Sequence, residues 1–359
     1  MTRHKKYSGA KRKTDLAIHV SIVISFLSYF PREQKLAEFQ EPFKYIAMTV
    51  DEEYIYVADK KECVVHIYSR NDFHHVGQFG RIGQGPEDFE FIGFLRVFPD
   101  YLFISSGRKV SYFSKKGDFL RTVAPPYPAT GSYIPLGSNF AGKRYLPEDP
   151  KETQSEIMVE LFDSKFKKMK DLYLAGLSKI ESYDFKSGKK NLLVVGDCFK
   201  LEVYKDRLYV GNTAIGFFFR VFDTQGKKLY DINLPYDKRN VSPQDQKAIL
   251  DDMRRIVGEQ RFNRGNVQFK YVFPKFYPTY TDFAIADENI YVFLYQIPGN
   301  SQEVLKLDLH GNLIKNITIP GAQAIFTYEL PYCIYRGEFY YMIYNEETYK
   351  WELHFEKLE

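Results

Sequence analysis

From about residue 43 to the C-terminus, short runs of apolar residues alternate with turns rich in Gly, Asp, Asn and Ser, and the alternation repeats. Each repeat reads as four strands, because apolar runs bounded by turn residues every eight to twelve positions are the pattern of an antiparallel sheet. The first comprises Lys44–Val50, Tyr54–Ala58, Val64–Tyr68 and His74–Phe79. The second takes Phe91–Val97, Tyr101–Ile104, Lys109–Phe113 and Asp118–Val123. A third, less regular, contains Lys143–Leu146 and Glu156–Phe162, with Pro147 to Ser155 as an extended loop. The fourth takes Phe199–Tyr204, Arg207–Val210, Phe217–Phe222 and Lys228–Asn233. The fifth takes Asp282–Ile285, Asn289–Phe293, Glu303–Leu307 and Leu313–Ile319. The sixth has only Tyr332–Tyr335, Glu338–Tyr344 and Lys350–Phe355. Turns of one kind recur at Ser114–Gly117, Asp223–Gly226 and Asp308–Gly311, with looser copies at Ser69–Asp72 and Asp163–Phe166.

Repetition on this scale predicts small sheets that share apolar faces, none stable alone. The sixth repeat is one strand short. In a closed ring an N-terminal strand supplies the missing one, and either Gln34–Phe39 or Val20–Tyr29 fits. Closure matters because an open array leaves strand edges unpaired. One helix interrupts the strands. Ser242 is its N-cap, Pro243 its first residue and Asp245 its acidic third, and Ile249, Met253, Ile256 and Val257 fall on one face. It lies between the fourth and fifth repeats, as a packing element or as a lid.

Composition agrees: 29 Tyr and 31 Phe among 359 residues suit half-buried pleated surfaces. The formal charge of +4 is local. Residues 1–15 carry a net +5, which leaves −1 for the rest and no basic face for a nucleic acid. Cys63, Cys198 and Cys333 are far apart, in or beside apolar runs, and read as small buried hydrophobes rather than a zinc site.

Ahead of the repeats, a basic stretch to Lys13 precedes an apolar run, Leu16 to Phe30. Basic then apolar is the layout of an export signal, and the run is shorter than the ~20 residues of a membrane span. His19 interrupts it and no small-x-small cleavage site follows before Pro31. Residues 1–30 thus read as an export or anchoring segment with N-terminal membrane association, or as one buried strand, and residues 31–359 as the folded domain.

The loop Phe79–Phe89 holds Gly80, Gly83, Gly85 and Pro86. Gly and Pro at this density specify a fixed irregular backbone. The spacing matches no phosphate loop, and neither a Lys-Ser/Thr pair nor a helix follows. As a crossover between sheets, the loop pairs Arg81 with carbonyls or with Glu87 or Asp88, and Phe89 anchors the next sheet. As a binding element, it offers Arg81, Gln84 and Glu87 to a ligand.

Gly80 to Phe89, following a strand with the Tyr54–Asp59 pattern, resembles a loop of the six-bladed β-propeller proteins of Bacteroidetes, the TolB-like group related to NHL-repeat propellers. In that group the loop reads Gly-x-x-Gly-x-Gly-Pro-Gly/Glu-Glu/Asp-Phe and joins the first two blades. The resemblance covers roughly residues 40–359. It implies an all-β, six-bladed β-propeller of four-stranded antiparallel blades, with the one helix inserted between blades 4 and 5. It also implies an exported product, periplasmic or attached to the envelope, of undefined biochemical role. This chain lacks the cysteine that would accept a lipid.

Catalytic signals are sparse. There is no Gly-x-Ser-x-Gly elbow, and the histidines are scattered except for His74–His75, which point to opposite faces of a strand. Asp282 and Asn212 are candidates for a metal site in a central channel, or for turn and cap residues. No catalytic residue, metal ligand or cofactor is assigned. The sequence therefore favours a non-enzymatic, extracytoplasmic propeller that binds a protein, peptide or carbohydrate, or acts as a scaffold. The alternative is a channel-metal hydrolase or lyase of lactonase type.

Overall fold

In the computed structural model, the described residues are 35–39, 43, 46–107, 109–125, 133–147, 154–184, 189–260, 262–263, 269–295, 301–320, 331–345 and 347–358. The apolar run at 16–30 lies outside them. Six four-stranded antiparallel sheets follow one another along the chain. The first holds β2 (Ile46–Val50), β3 (Tyr54–Asp59), β4 (Val64–Ser69) and β5 (His75–Phe79). In the second are β6 (Phe94–Val97), β7 (Leu102–Ser106), β8 (Lys109–Phe113) and β9 (Phe119–Val123). The third has β10 (Tyr133–Leu136), β11 (Asn139–Tyr145), β12 (Gln154–Phe162) and β13 (Lys168–Ser178). The fourth has β16 (Phe199–Tyr204), β17 (Arg207–Asn212), β18 (Phe217–Phe222) and β19 (Lys228–Leu234). Next come β21 (Asp282–Ala286), β22 (Asn289–Phe293), β23 (Ser301–Asp308) and β24 (Leu313–Pro320).

The last sheet joins the two ends of the chain. Its order is β25 (Tyr332–Tyr335), β26 (Glu338–Asn345), β27 (Lys350–Lys357) and then β1 (Lys35–Phe39). Of the two candidate closing segments, Lys35–Phe39 takes the place, with Phe39 opposite Trp351 and Lys35 opposite His354.

Each sheet is too small to bury its own faces, so neighbours share them. Phe39, Met48, Val57 and Leu353 form one core between the last sheet and the first. Val65, Phe89, Ile104 and Phe113 join the first to the second, and Phe103, Tyr112, Phe140 and Phe162 the second to the third. Leu136, Leu161, Leu208 and Phe222 join the third to the fourth. Tyr209, Phe219, Phe283 and Leu307 continue to the fifth, and Tyr291, Phe293, Phe339 and Tyr341 to the last. Consecutive contacts that return to their start make a closed ring, with the first strand of each sheet on the inside. The recurrent turns hold each third strand to its fourth. Asp223 Oδ1 accepts from the amides of Gln225 and Lys227 at 2.9 and 2.8 Å, and Asp308 Oδ1 from those of His310 and Asn312 at the same distances. Gly117, Gly226 and Gly311 take positive φ at the fourth turn position. In the third sheet that position is Phe166, at φ 59, held by its ring stacked 4.1 Å from Phe140.

A further, three-stranded sheet was not legible in the sequence: β14 (Glu181–Asp184), β15 (Lys189–Leu193) and β20 (Phe269–Val272), the last two parallel. It is built from the connections on either side of the fourth sheet. Helix α1 (Pro243–Val257) belongs to the second of these. Ser242 and Asp245 form a capping box, and Ile249 is buried with Val195, Val241 and Tyr277. The predicted inter-sheet helix is therefore present, and it is accompanied by this small sheet.

Because strands alternate in direction, the inter-sheet connections and those between second and third strands all emerge at one end of the ring. That end carries the Gly-rich loop, the three-stranded sheet and α1. Ile82, Ile180, Ile215 and Tyr349, each more than half exposed, lie in its connections.

Candidate functional site

Two sites form at this loop end. The first is built on the Gly-rich crossover between β5 and β6. Phe89 is fully buried between the first two sheets, and its ring fills the space that a side chain at Gly80 would need. Gly80 also has φ +87. The Asp88 carboxylate ties the loop to itself, accepting from Arg81 Nε at 2.7 Å and from the Gly85 amide at 2.9 Å. The backbone closes with Phe89 N donating to Arg81 O at 2.8 Å and Gly83 N to Phe89 O at 3.0 Å. Lys109, reaching from β8, donates to the carbonyls of Gly85 and Pro86. Beside this loop a cleft of about 490 Å³ is lined by Gln84, Glu90, Ser106 and Lys109. Of the three sequence-predicted residues, Gln84 lines the cleft. Arg81 pairs with Asp88 and is otherwise exposed, and Glu87 is exposed on the loop outside the lining. Glu90, Ser106 and Lys109 were missed because they come from positions that read as ordinary turn or strand polar residues.

Asp88 organises this loop, so Asp88→Ala should loosen it without unfolding the ring. The expected result is faster hydrogen exchange at the amides of Gly83, Gly85 and Phe89, with a melting temperature within about 2 °C of the parent, because the bonds lost lie within the loop and outside the shared cores. Unchanged exchange would refute that role.

The second site is the mouth of the central channel. Lys200 is the second residue of β16, and Asp282 and Tyr332 open β21 and β25, so all three lie where inner strands begin at the loop end. Lys200 Nζ donates to Asp282 Oδ1 and to the Phe283 carbonyl, both at 2.8 Å, and lies 3.1 Å from Glu202 Oε1. Tyr332 Oη donates to Asp282 Oδ2 at 2.7 Å. Arg96, on β6 of the second sheet, pairs with Glu202 of the fourth and donates to Val203 O at 3.4 Å. That pair skips the third sheet, so it spans the interior of the ring. Lys143 of β11 places its Nζ 3.5 Å from Phe199 O. Burial would push the Glu202 carboxyl up, but the charges of Arg96 and Lys200 outweigh it and hold it below the usual range. Burial likewise disfavours the Lys200 ammonium, and Asp282 and Glu202 outweigh that to raise it. Lys143 faces no such pair, and burial lowers it.

Asp282 thus belongs to a convergent set, as a channel role required, whereas Asn212 does not. Its side chain donates to Tyr173 Oη and accepts from the Ala214 amide, both at 3.0 Å, which is a cap. The residues at the mouth do not fit a divalent ion. The Lys200 ammonium already occupies the space between the two carboxylates, and among the described residues no group of three His, Cys, Asp or Glu could hold a metal. The three cysteines are free, with Cys63 buried as expected and Cys198 and Cys333 partly so. No helix among the described residues is long and apolar enough to cross a membrane.

Successive four-stranded antiparallel sheets, closed by the N-terminal strand around a channel, define a β-propeller. Among solved structures the chain is similar to a Bacteroides fragilis protein provisionally described as exported, with a TM-score of 0.51 at 12% identity over 91% of this chain and 94% of that one. It is more distantly similar to the Cps50 (Swd1) β-propeller domain of Myceliophteria thermophila (TM-score 0.40, 11% identity, 89% and 98% covered). Streptogramin B lyase stands at a TM-score of 0.40 and 10% identity, with 89% and 86% covered. At 12% identity the first likeness is one of fold alone. No protein-family model and no curated protein matches the chain.

Proposed function

We propose that the protein is a six-bladed β-propeller that works outside the cytoplasm as a binding module, taking a polar protein, peptide or carbohydrate ligand on its loop end. Six four-stranded sheets linked by six shared cores support the blade count, with the three-stranded sheet as an appendage to the fourth blade. The likeness to a protein described as exported, together with the basic and apolar N-terminal sequence, supports the location.

The observation that carries the binding reading is the cleft lined by Gln84, Glu90, Ser106 and Lys109, at the end where the long connections gather. Its lining offers donors, an acceptor carboxylate and an ammonium, the groups that orient polar ligands. Arg81 and Glu87 stand beside it as contacts with the bulk of a partner. The hydrolase or lyase reading is disfavoured by the Lys200 ammonium between the channel carboxylates.

The test is co-purification from the envelope of the native host, comparing the parent with the Arg81→Ala, Gln84→Ala, Glu87→Ala triple variant. A ligand retained by the parent and reduced about tenfold in the variant, at equal melting temperature, is expected for a small set of hot-spot contacts. Equal retention by both, or by neither, would overturn the site. One equivalent of a divalent ion retained by the parent through dialysis and lost on Asp282→Asn would favour the hydrolase.

A further inference from the structure

We propose that the mouth of the central channel is a binding site for the carboxylate of a small organic acid, with Lys143 as the group that receives it. The site is distinct from the cleft and does not depend on its reading.

The charges at the mouth come from four strands of four sheets. Arg96 is matched by Glu202, and Lys200 by Glu202 and Asp282. Lys143 has no carboxylate partner among the described residues. Its ammonium meets only the Phe199 carbonyl at 3.5 Å and the Phe199 ring, 5.7 Å from the centroid. It is only partly exposed, and the one carboxylate that faces it, Glu202, is already shared by Arg96 and Lys200, so its charge is incompletely compensated. The reason it faces inward is local. Among the described residues the pairing of β10 with β11 reaches Tyr133 opposite Gly142, and Lys143 is the next residue of β11 toward the channel mouth. The groups that face it are Cys198, Lys200 and Glu202.

Counting Arg96, Lys143 and Lys200 against Glu202 and Asp282, the protonated cluster carries one positive charge in excess. A monoanion brings it to neutrality, whereas a phosphate dianion would meet Glu202 and Asp282 with a charge to spare. Tyr332 Oη and the Phe199 ring supply a hydrogen-bonding group and an aromatic wall for the remainder of a small acid. Burial lowers Lys143, and a bound carboxylate opposes that shift by stabilising the ammonium.

The probe is reductive methylation of the whole protein with formaldehyde and cyanoborohydride at pH 7.5, read by mass spectrometry. The neutral amine adds to the aldehyde carbon with loss of water, and hydride reduces the imine to a secondary amine. Methylation is followed at Lys143, with the exposed Lys116 as the internal standard. Lactate, against chloride at equal ionic strength, is expected to slow Lys143 about tenfold and leave Lys116 unchanged. Inorganic phosphate should protect less than lactate. Equal rates at Lys143 with lactate and chloride would overturn the proposal, as would stronger protection by phosphate. Lactate should bind Lys143→Arg and fail to bind Lys143→Met; equal binding to the parent and to Lys143→Met would also overturn it.

Discussion

A chain that begins at Phe43 should melt at least about 10 °C below one that begins at Gln34. The two differ by β1, the outermost strand of the last sheet. Phe39 is 2% exposed, and its ring centroid lies 4.4 Å from that of Tyr68, in the core that joins the two ends of the ring. Deleting a buried Phe side chain alone costs about 3–5 kcal/mol. The backbone pairing from Ala37 to Phe39 against Leu353 to Trp351 is lost as well. For a domain of this size each kcal/mol moves the midpoint by about 1.5 °C, so the aromatic ring accounts for about 4–8 °C and the lost strand pairing and edge for the rest. The single Trp gives a local signal. Trp351 sits opposite Phe39 in the register and donates Nε1–H to the Phe43 carbonyl at 3.0 Å, so its emission should shift toward that of exposed indole before the rest of the chain unfolds. The truncated chain should also self-associate, because β27 becomes an open edge. Equal melting temperatures for the two chains would mean that the ring does not depend on its N-terminal closure.

Closure was legible because the sixth repeat is visibly one strand short, and so was most of the rest of the ring. Period-two strands carry their own pattern, and turns such as Asp223–Gly226 carry a chemical reason, a carboxylate that holds two amides and a Gly at positive φ. Strand ends moved by only a few residues: Gln154 and Ser155 belong to β12 and not to a loop, and β6 starts at Phe94. The three-stranded sheet was hidden for a physical reason. Glu181–Asp184 and Lys189–Leu193 are short and polar, and the latter pairs in parallel with a segment beyond the whole fourth sheet. Nothing local marks such a partner. The channel mouth was hidden in another way. Lys200, Asp282 and Tyr332 are far apart in sequence and meet only when the ring closes. The signal that would have found them is phase, since each stands at the first or second position of the first strand of its repeat. The Gly-rich loop lay between these cases. Its crossover role followed from composition, and the Arg81–Asp88 pair was among those expected, but its neighbours in the cleft arrive from the second sheet.

The same phase argument gives Lys200 the largest single-residue effect outside the apolar cores. Lys200→Met would leave Asp282 with only the Tyr332 hydroxyl and the Phe283 amide, and Glu202 with Arg96 as its one ion-pair partner, the Glu202 side chain being only 7% exposed. Removing one partner of an enclosed ion pair costs about 3–5 kcal/mol, because the desolvated charge left behind has no return to water. The expected result is a fall of about 5 °C in the melting temperature at pH 7. The pH dependence separates this cause from simple loss of packing. In the parent the folded Glu202 carboxyl is held below its unfolded value. It therefore stabilises the protein above the unfolded value of about 4.3, and that contribution is lost as pH falls through the lower folded value. In the double variant Arg96→Met, Lys200→Met, only the more distant Lys143 is left to oppose burial, and the folded value is expected to rise above the unfolded one. The sign then reverses. The charged carboxylate is a penalty at pH 7, and stability recovers as pH falls through the folded value toward 4.3. Melting from pH 7 to 5 should thus show a recovery in the double variant that Glu202→Gln in the same background abolishes. If the double variant instead lost stability over that range, or if Lys200→Met melted with the parent, the two carboxylates would not be holding their charge against Lys200 across the channel.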